Sequence, residues 1–299
     1  MDERTTALRH ASSSDAGGDD DTLPLPRSAD PSEVLRAAAE ASDRGARALL
    51  ATVIARRGST PSTPGQKLLL LEGGACVGTV GGGAIERSVL RALAARLAEP
   101  ALAEPLAGAI ETYRLGASLG MCCGGSVEVL IEELASATPA LLVGGGHVGS
   151  IAAPLLARCG FAVTLVDERE AWGEARAIDP RVRRVTGDFS FVGKSVARRG
   201  VALTMTHDHQ LDQRVIEWAL KERFAFVGGV GSRAKCARTR ARLSAKGFDA
   251  NDVARLRMPI GVSIGARTPD EIAVSIAAEL IAWRRLPSER SNERQGANR

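Results

Sequence analysis

The feature that most restricts what this chain can fold into is the stretch from Leu141 to Arg169, LLVGGGHVGSIAAPLLARCGFAVTLVDER. An apolar run leads into Gly144, Gly146 and Gly149 in the spacing G-x-G-x-x-G. A second apolar run, Phe161 to Val166, ends at Asp167. Strand, glycine turn, helix, strand and acid in that order form the dinucleotide-binding fingerprint. Each residue has its own task. Gly144 permits a tight bend, Gly146 lets a pyrophosphate approach the backbone, and Gly149 lets the helix pack closely on the sheet. The helix N-terminus offers unpaired N–H groups and a positive dipole end to an anion. Asp167 stands where a ribose hydroxyl is read. The same turn also suits a doubly wound domain that keeps its glycines for packing and binds no nucleotide. Pro154 falls inside the expected helix and should kink it or shorten its regular part.

The fingerprint lies in the middle of a 299-residue chain, so a separate unit must precede it. Residues 1–30 are polar, acidic and rich in Ser and Gly, which predicts a disordered tail, and residues 287–299 read the same way. Between them we expect an α/β domain over 31–135 and a Rossmann-type doubly wound parallel-sheet domain over 139–286. In the first, a helix is expected at Pro31–Arg44, and strands at Ala48–Ala55, Lys67–Leu71, Ala75–Val80, Ala109–Leu115 and Ser126–Glu132. A helix follows Gly81-Gly82-Gly83. In the second, strands are expected at 140–144, 161–167, 183–186, 200–205, 224–228 and near 259–263. A closing helix opens on the capping box Thr268-Pro269-Asp270-Glu271.

Composition narrows the function classes. The net charge of +4 comes mostly from scattered arginines with no basic block interleaved with aromatics, which argues against a nucleic-acid binder. No apolar run reaches the length of a membrane span, and the N-terminus lacks the apolar core of a secretory signal, so a cytoplasmic location is expected. Five cysteines, an odd number with one adjacent pair, point to free thiols rather than a disulfide framework.

Outside the fingerprint, the most chemical segment is Gly120-Met121-Cys122-Cys123-Gly124-Gly125. Backbone N–H groups in such a loop favour thiolate, the form that binds metal or accepts sulfur. Adjacent cysteines without a C-x-x-C pair do not build a closed zinc site, and two small buried residues beside a turn is the plainer alternative. The run Gly78-Thr79-Val80-Gly81-Gly82-Gly83, with Glu86 in the helix behind it, is either an anion site or a tight turn with a dipole-stabilising acid. Thr206-His207-Asp208-His209 follows an expected strand and should open on the same crevice as the glycine turn. His147, His207 and His209 would then converge there, unless the segment is simply a solvated turn. Gly228 to Lys235 ends another strand at that edge. Ser232, Arg233 and Lys235 make it a second candidate phosphate site or an ordinary helix start.

Six ordered motifs carry a family resemblance. They are Gly58-Ser59-Thr60-Pro61, Val80 to Glu86, Leu119 to Gly125, Gly145-Gly146-His147-Val148-Gly149, Thr206 to His209, and Gly265 to Ala273. Over residues 33 to 285 the chain resembles the XdhC/CoxI family of molybdenum-hydroxylase accessory factors. The resemblance implies an N-terminal XdhC/CoxI domain, a C-terminal Rossmann domain and a role as accessory factor rather than enzyme. It implies transient binding of the molybdenum cofactor (molybdopterin), protection and sulfuration of that cofactor, and delivery to the catalytic subunit of a xanthine dehydrogenase-like hydroxylase. Further expectations are a cysteine desulfurase as sulfur source and a homodimer. The family's cysteine maps onto Cys123, a candidate molybdenum ligand, and Cys122 is one thiol beyond the pattern. The expected cofactor-binding residues are Cys122, Cys123, Gly124, Gly125, Gly144, Gly146, His147, Gly149, Asp167, His207, His209, Ser232 and Arg233. The cysteine loop would form the chemical end of the site and the glycine turn its phosphate end. Two other readings compete. One is an NAD(P)-dependent oxidoreductase holding an NAD-like dinucleotide in the Rossmann turn, with His207 or His209 as proton carrier. The other is a metal-binding regulatory module built from His147, His207, His209 and a cysteine.

Overall fold

The computed structural model describes residues 23–99, 108–115, 125–169 and 179–285. The chain divides into two compact units, with the boundary between Ser136 and Ala137.

The first unit is built from α1 (Pro31–Asp43), β1 (Ala48–Arg57), β2 (Lys67–Leu71), β3 (Cys76–Gly78), α2 (Gly83–Ala98), β4 (Ala109–Arg114) and β5 (Ser126–Glu133). Its sheet is antiparallel throughout, in the order β3-β2-β1-β5-β4. Helix α1 starts where Asp30 accepts the amides of Ser32 and Glu33, while Glu33 accepts the Asp30 amide. Strand β1 reads as a continuous apolar run because both its faces are covered. Leu49, Ala51 and Val53 pack with α2 through Ile85, Val89 and Leu93, whereas Ala48 and Leu50 pack with Val34, Ala38 and Ala41 of α1. The end of the expected N-terminal tail is not loose. The Arg27 amide donates to the Cys76 carbonyl and the Gly78 amide to the Arg27 carbonyl, each at 2.9 Å. Leu23 packs against the core under α2. Backbone pairing to β3 thus holds a segment whose composition alone gives no reason to fold.

The second unit runs β6 (Thr138–Val143), α3 (His147–Arg158), β7 (Phe161–Asp167), β8 (Arg183–Thr186), α4 (Phe189–Val192), β9 (Val201–Thr204), α5 (His209–Lys221), β10 (Phe226–Gly229), α6 (Arg233–Ala245), α7 (Ala250–Arg255), β11 (Leu256–Arg257) and α8 (Pro269–Arg285). Its six strands are all parallel, in the order β11-β10-β9-β6-β7-β8. Numbered within the unit, this is the doubly wound order of a Rossmann sheet, whose direction of travel reverses between β6 and β9. Alternation along β6 shows both faces: Ala140 and Leu142 lie with α3 and α8, Leu141 and Val143 with α4, α5 and α6.

Two expectations are corrected here. The last strand is Leu256–Arg257, and residues 259–263 form a loop. Pro259 has no amide to give the ladder. Gly261 then turns the chain at φ +112°, where a Cβ would lie 2.2 Å from Ser275 Oγ. Pro154 does not cut α3 short, for the helix runs on to Arg158. Burial of Ala152, Ala153 and Leu156 against Ala273 and Ile276 of α8 offsets the lost helical hydrogen bond. The capping box of α8 is made as expected: the Thr268 hydroxyl accepts the Glu271 amide at 3.3 Å, and Glu271 accepts the Thr268 amide at 3.0 Å. Among the described residues, no helix is long and apolar enough to cross a membrane.

Candidate functional site

At the end of β6 the three glycines are placed by three different constraints. Gly144 takes φ +111°, and a Cβ there would lie 2.8 Å from the Met205 carbonyl at the end of β9. Gly149 sits in the first turns of α3, where a Cβ would lie 1.9 Å from the Gly144 carbonyl oxygen. Only a bare Cα allows the helix that close. Gly146 differs from both. It is the N-cap of α3, has extended backbone at φ −67°, and faces open space, for a Cβ placed there would meet no atom of the described residues within 4 Å. No side chain caps α3. The arrangement leaves amide donors at a helix start with room for an anion. His147, the first residue of α3, is exposed beside them.

Asp167 ends β7 and is only 7% exposed. Its Oδ2 accepts the Gly145 amide at 2.8 Å, which ties the acid to the glycine turn. Arg169 then closes on it from outside. Arg169 Nε donates to Oδ1 at 2.8 Å, Nη2 to Oδ2 at 2.7 Å, and the Arg169 amide to Oδ1 at 3.1 Å. Burial pushes the Asp167 carboxyl up, but the Arg169 side chain, the Arg169 amide and the Gly145 amide outweigh it. They hold the group below the usual carboxylate range.

The loops after β9 and β10 open on the same edge of the sheet. His207, Asp208, His209, Ser232 and Arg233 are all exposed there. Asp208 caps α5 by accepting the Gln210 amide at 2.7 Å, and the Gln210 and Leu211 amides hold its carboxyl low. Ser232 caps α6 by accepting the Lys235 amide at 3.2 Å, so its hydroxyl oxygen already serves the fold. Lys235 corrects an expectation: it does not face a phosphate. Its side chain is 11% exposed and its ammonium pairs with Asp212, itself 2% exposed, and donates to the Val230 carbonyl at 3.1 Å. Asp212 Oδ1 also takes the Thr204 hydroxyl at 2.5 Å, the Thr206 hydroxyl at 2.8 Å and the Thr206 amide at 3.2 Å. This buried pair fixes the start of the turn that carries His207. Among the described residues, no three His, Cys, Asp or Glu side chains gather closely enough to hold a metal ion. His147, His207 and His209 thus share an edge of the sheet, and among the described residues they belong to no such group.

In the first unit, three of the sequence motifs meet. Cys122, Cys123 and Gly124 lie outside the described residues, but the residues that bracket them do not. Arg114 pairs with Ser126, and the Leu115 amide donates to the Gly125 carbonyl at 2.8 Å. A Cβ on Gly125 would lie 2.6 Å from the carbonyls of Arg57 and Ser59 and from Thr60 Cγ2. The Gly58-Ser59-Thr60-Pro61 loop thus rests on Gly125. Its other end meets the glycine run: the Ser62 hydroxyl donates to the Val80 carbonyl at 2.7 Å, and a Cβ on Gly81 would lie 2.5 Å from Ser62 Oγ. Gly81, Gly82 and Gly83 all have positive φ, and Gly82 caps α2 with no side-chain help. Glu86 turns back on this run, accepting the Thr79 hydroxyl and, at 3.2 Å, the Val80 amide. Among the described residues, Cys76, Cys159 and Cys236 are free thiols. Burial, then the nearby Glu86, pushes the Cys76 thiol up to about 12, so it stays neutral and inert.

Comparison with known proteins decides the lineage. A family model described as the XdhC Rossmann domain matches residues 140–280, and one described as the XdhC and CoxI family matches residues 41–104. The chain belongs to the XdhC and CoxI family. An uncharacterized protein of Escherichia coli (strain K12), YqeB, is 29% identical over 234 residues, 78% of this chain and 42% of that one. A protein of Bacillus subtilis (strain 168) described as a probable xanthine dehydrogenase subunit is 28% identical over 167 residues, 54% of this chain and 47% of that one. The chain spans less than half the length of these curated relatives. A crystal structure of a xanthine dehydrogenase from Bacillus halodurans aligns over 85% of this chain and 95% of its own. It is 20% identical with a TM-score of 0.43, too loose a match to transfer positions.

Two residues of this XdhC-type Rossmann domain, Asp212 and Lys235, are not legible as a pair in the sequence. Asp212 lies three and four residues before the buried Val215 and Ile216, on the apolar stripe of α5. An acid on that stripe is the signal of a buried charge that needs a partner.

Proposed function

We propose that this XdhC and CoxI family member is a maturation factor rather than a catalyst. It binds the molybdenum cofactor, supports its sulfuration and hands it to a xanthine dehydrogenase-like hydroxylase. The observation that carries the reading is the pairing, in one chain, of the family's two domains with a glycine turn left open at Gly146. The description of the Bacillus subtilis relative as a probable xanthine dehydrogenase subunit supports a xanthine dehydrogenase-like partner.

Molybdopterin carries a phosphate, and the open helix start at Gly146 and His147 is chemically suited to one. Molybdenum and terminal sulfur are soft centres that favour a thiolate, and Cys123, with Cys122 beside it, supplies thiols. In this reading Cys123 contacts molybdenum or carries the sulfur, Cys122 and the flanking Gly124 and Gly125 shape its loop, and a cysteine desulfurase delivers the sulfur. His207, His209, Ser232 and Arg233 offer further polar contacts at the Rossmann edge. The protein works in the cytoplasm as a homodimer.

The test is activation of a molybdenum-free hydroxylase by the protein loaded with cofactor under anoxic conditions. Cys123→Ala is expected to abolish activation, with Cys122→Ala less severe. Full activation by both variants overturns the role given to the loop.

A further inference from the structure

A Rossmann turn that holds a dinucleotide needs the acid at the end of the second strand free, because its two oxygens accept ribose hydroxyls. In this protein Asp167 is not free. One oxygen receives the Gly145 amide, and both receive the Arg169 guanidinium, with the Arg169 amide added on Oδ1. The paired geometry is the bidentate one that binds carboxylates most firmly. Arg169 itself is 51% exposed, so it is the group that the seat presents to solvent. The glycine turn is the reverse case: among the described residues, no atom lies within 4 Å of a Cβ placed on Gly146. Phosphate space is open while ribose space is taken.

We propose that Arg169 closes the ribose seat of the Rossmann turn. The site then takes ligands that end in a phosphate and discriminates against dinucleotides whose ribose would lie on Asp167. Arg169 is a specificity residue in this account, acting by occupying Asp167. The inference rests on the phosphate-dock reading of the turn given above, and the experiment separates the two.

Inorganic pyrophosphate and ADP-ribose are titrated separately into the full chain and into Arg169→Ala, following the backbone amide signals of Gly144 to Gly149. Removing a cation ordinarily weakens the binding of an anionic ligand, so a gain in affinity cannot arise from charge alone. The expected result is that pyrophosphate shifts the turn amides in both proteins. ADP-ribose should bind Arg169→Ala roughly tenfold more tightly than the unaltered protein, equivalent to about 1.4 kcal/mol. If pyrophosphate binds but ADP-ribose affinity is unchanged or falls in Arg169→Ala, the closed seat is wrong and the phosphate dock stands. If neither protein responds to pyrophosphate or to ADP-ribose, the dock reading fails and the seat fails with it.

Discussion

The two glycine-opened helices of this protein solve similar problems in different ways. Ahead of α2, Gly81, Gly82 and Gly83 all take positive φ, and the chain itself packs against Gly81. Ser62 fills the space beneath Gly81, and Glu86 folds back onto Thr79 and Val80. Ahead of α3, only Gly144 takes positive φ. Gly149 is needed for contact, and Gly146 is needed for neither backbone nor packing. A glycine that the fold does not require is free to serve a ligand. That is the difference between a turn built for itself and a turn built for something else.

Substitutions should rank accordingly. The largest effect is expected for Gly149→Ala, because the added carbon meets a backbone oxygen that cannot move without shifting the helix. A loss of about 3 kcal/mol in chemical denaturation is expected, at the upper end of overpacking costs. Gly81→Ala should cost about 2 kcal/mol, combining a disfavoured backbone region with the Ser62 contact. Gly82→Ala, with φ +74° but empty space around it, should cost about 1 kcal/mol from backbone strain alone. Gly146→Ala should change stability by less than about 0.5 kcal/mol, which the same denaturation series measures. A loss as large as that of Gly149→Ala would erase the contrast between the two glycines.

A further small effect concerns pH. Asp167 titrates lower in the folded chain than when unfolded, so its contribution is complete above about pH 4. It is lost as pH falls through the lower, folded value. With Arg169 half exposed, the pair is worth under about 1 kcal/mol. Arg169→Ala should therefore lower neutral stability by under about 1 kcal/mol and flatten the acid limb of the stability curve by the same amount. An acid limb identical in the two proteins would show that the clamp on Asp167 does not form.

Much of the Rossmann domain was legible because its constraints are local. G-x-G-x-x-G encodes a bend, an opening and a contact, and each has its own glycine. Strands β6, β7, β9 and β10 are short apolar runs bounded by turns. What escaped was set by partners distant in sequence. Lys235 reads as a surface charge until Asp212, on another helix, is brought beneath it. Arg169 reads as an ordinary loop residue, since its grip on Asp167 depends on how the chain leaves β7. The final strand was misplaced because the apolar run after Met258 suggests pairing, while Pro259 and Gly261 take the chain off the ladder. In the first unit, the glycine run, the Gly58–Pro61 loop and Gly125 form a contiguous cluster through close packing against backbone carbonyls, which spacing alone does not reveal.

Whether this protein carries the molybdenum cofactor is the central question, and cofactor content tests it most directly. The full chain and Gly146→Val, purified under anoxic conditions from cells that make the cofactor, are compared for molybdenum and for pterin fluorescence after oxidation. Molybdenum and pterin are expected in equal amounts in the unaltered protein, with strong depletion of both in a Gly146→Val protein that remains folded. Unaltered protein containing neither molybdenum nor pterin would contradict the proposed role.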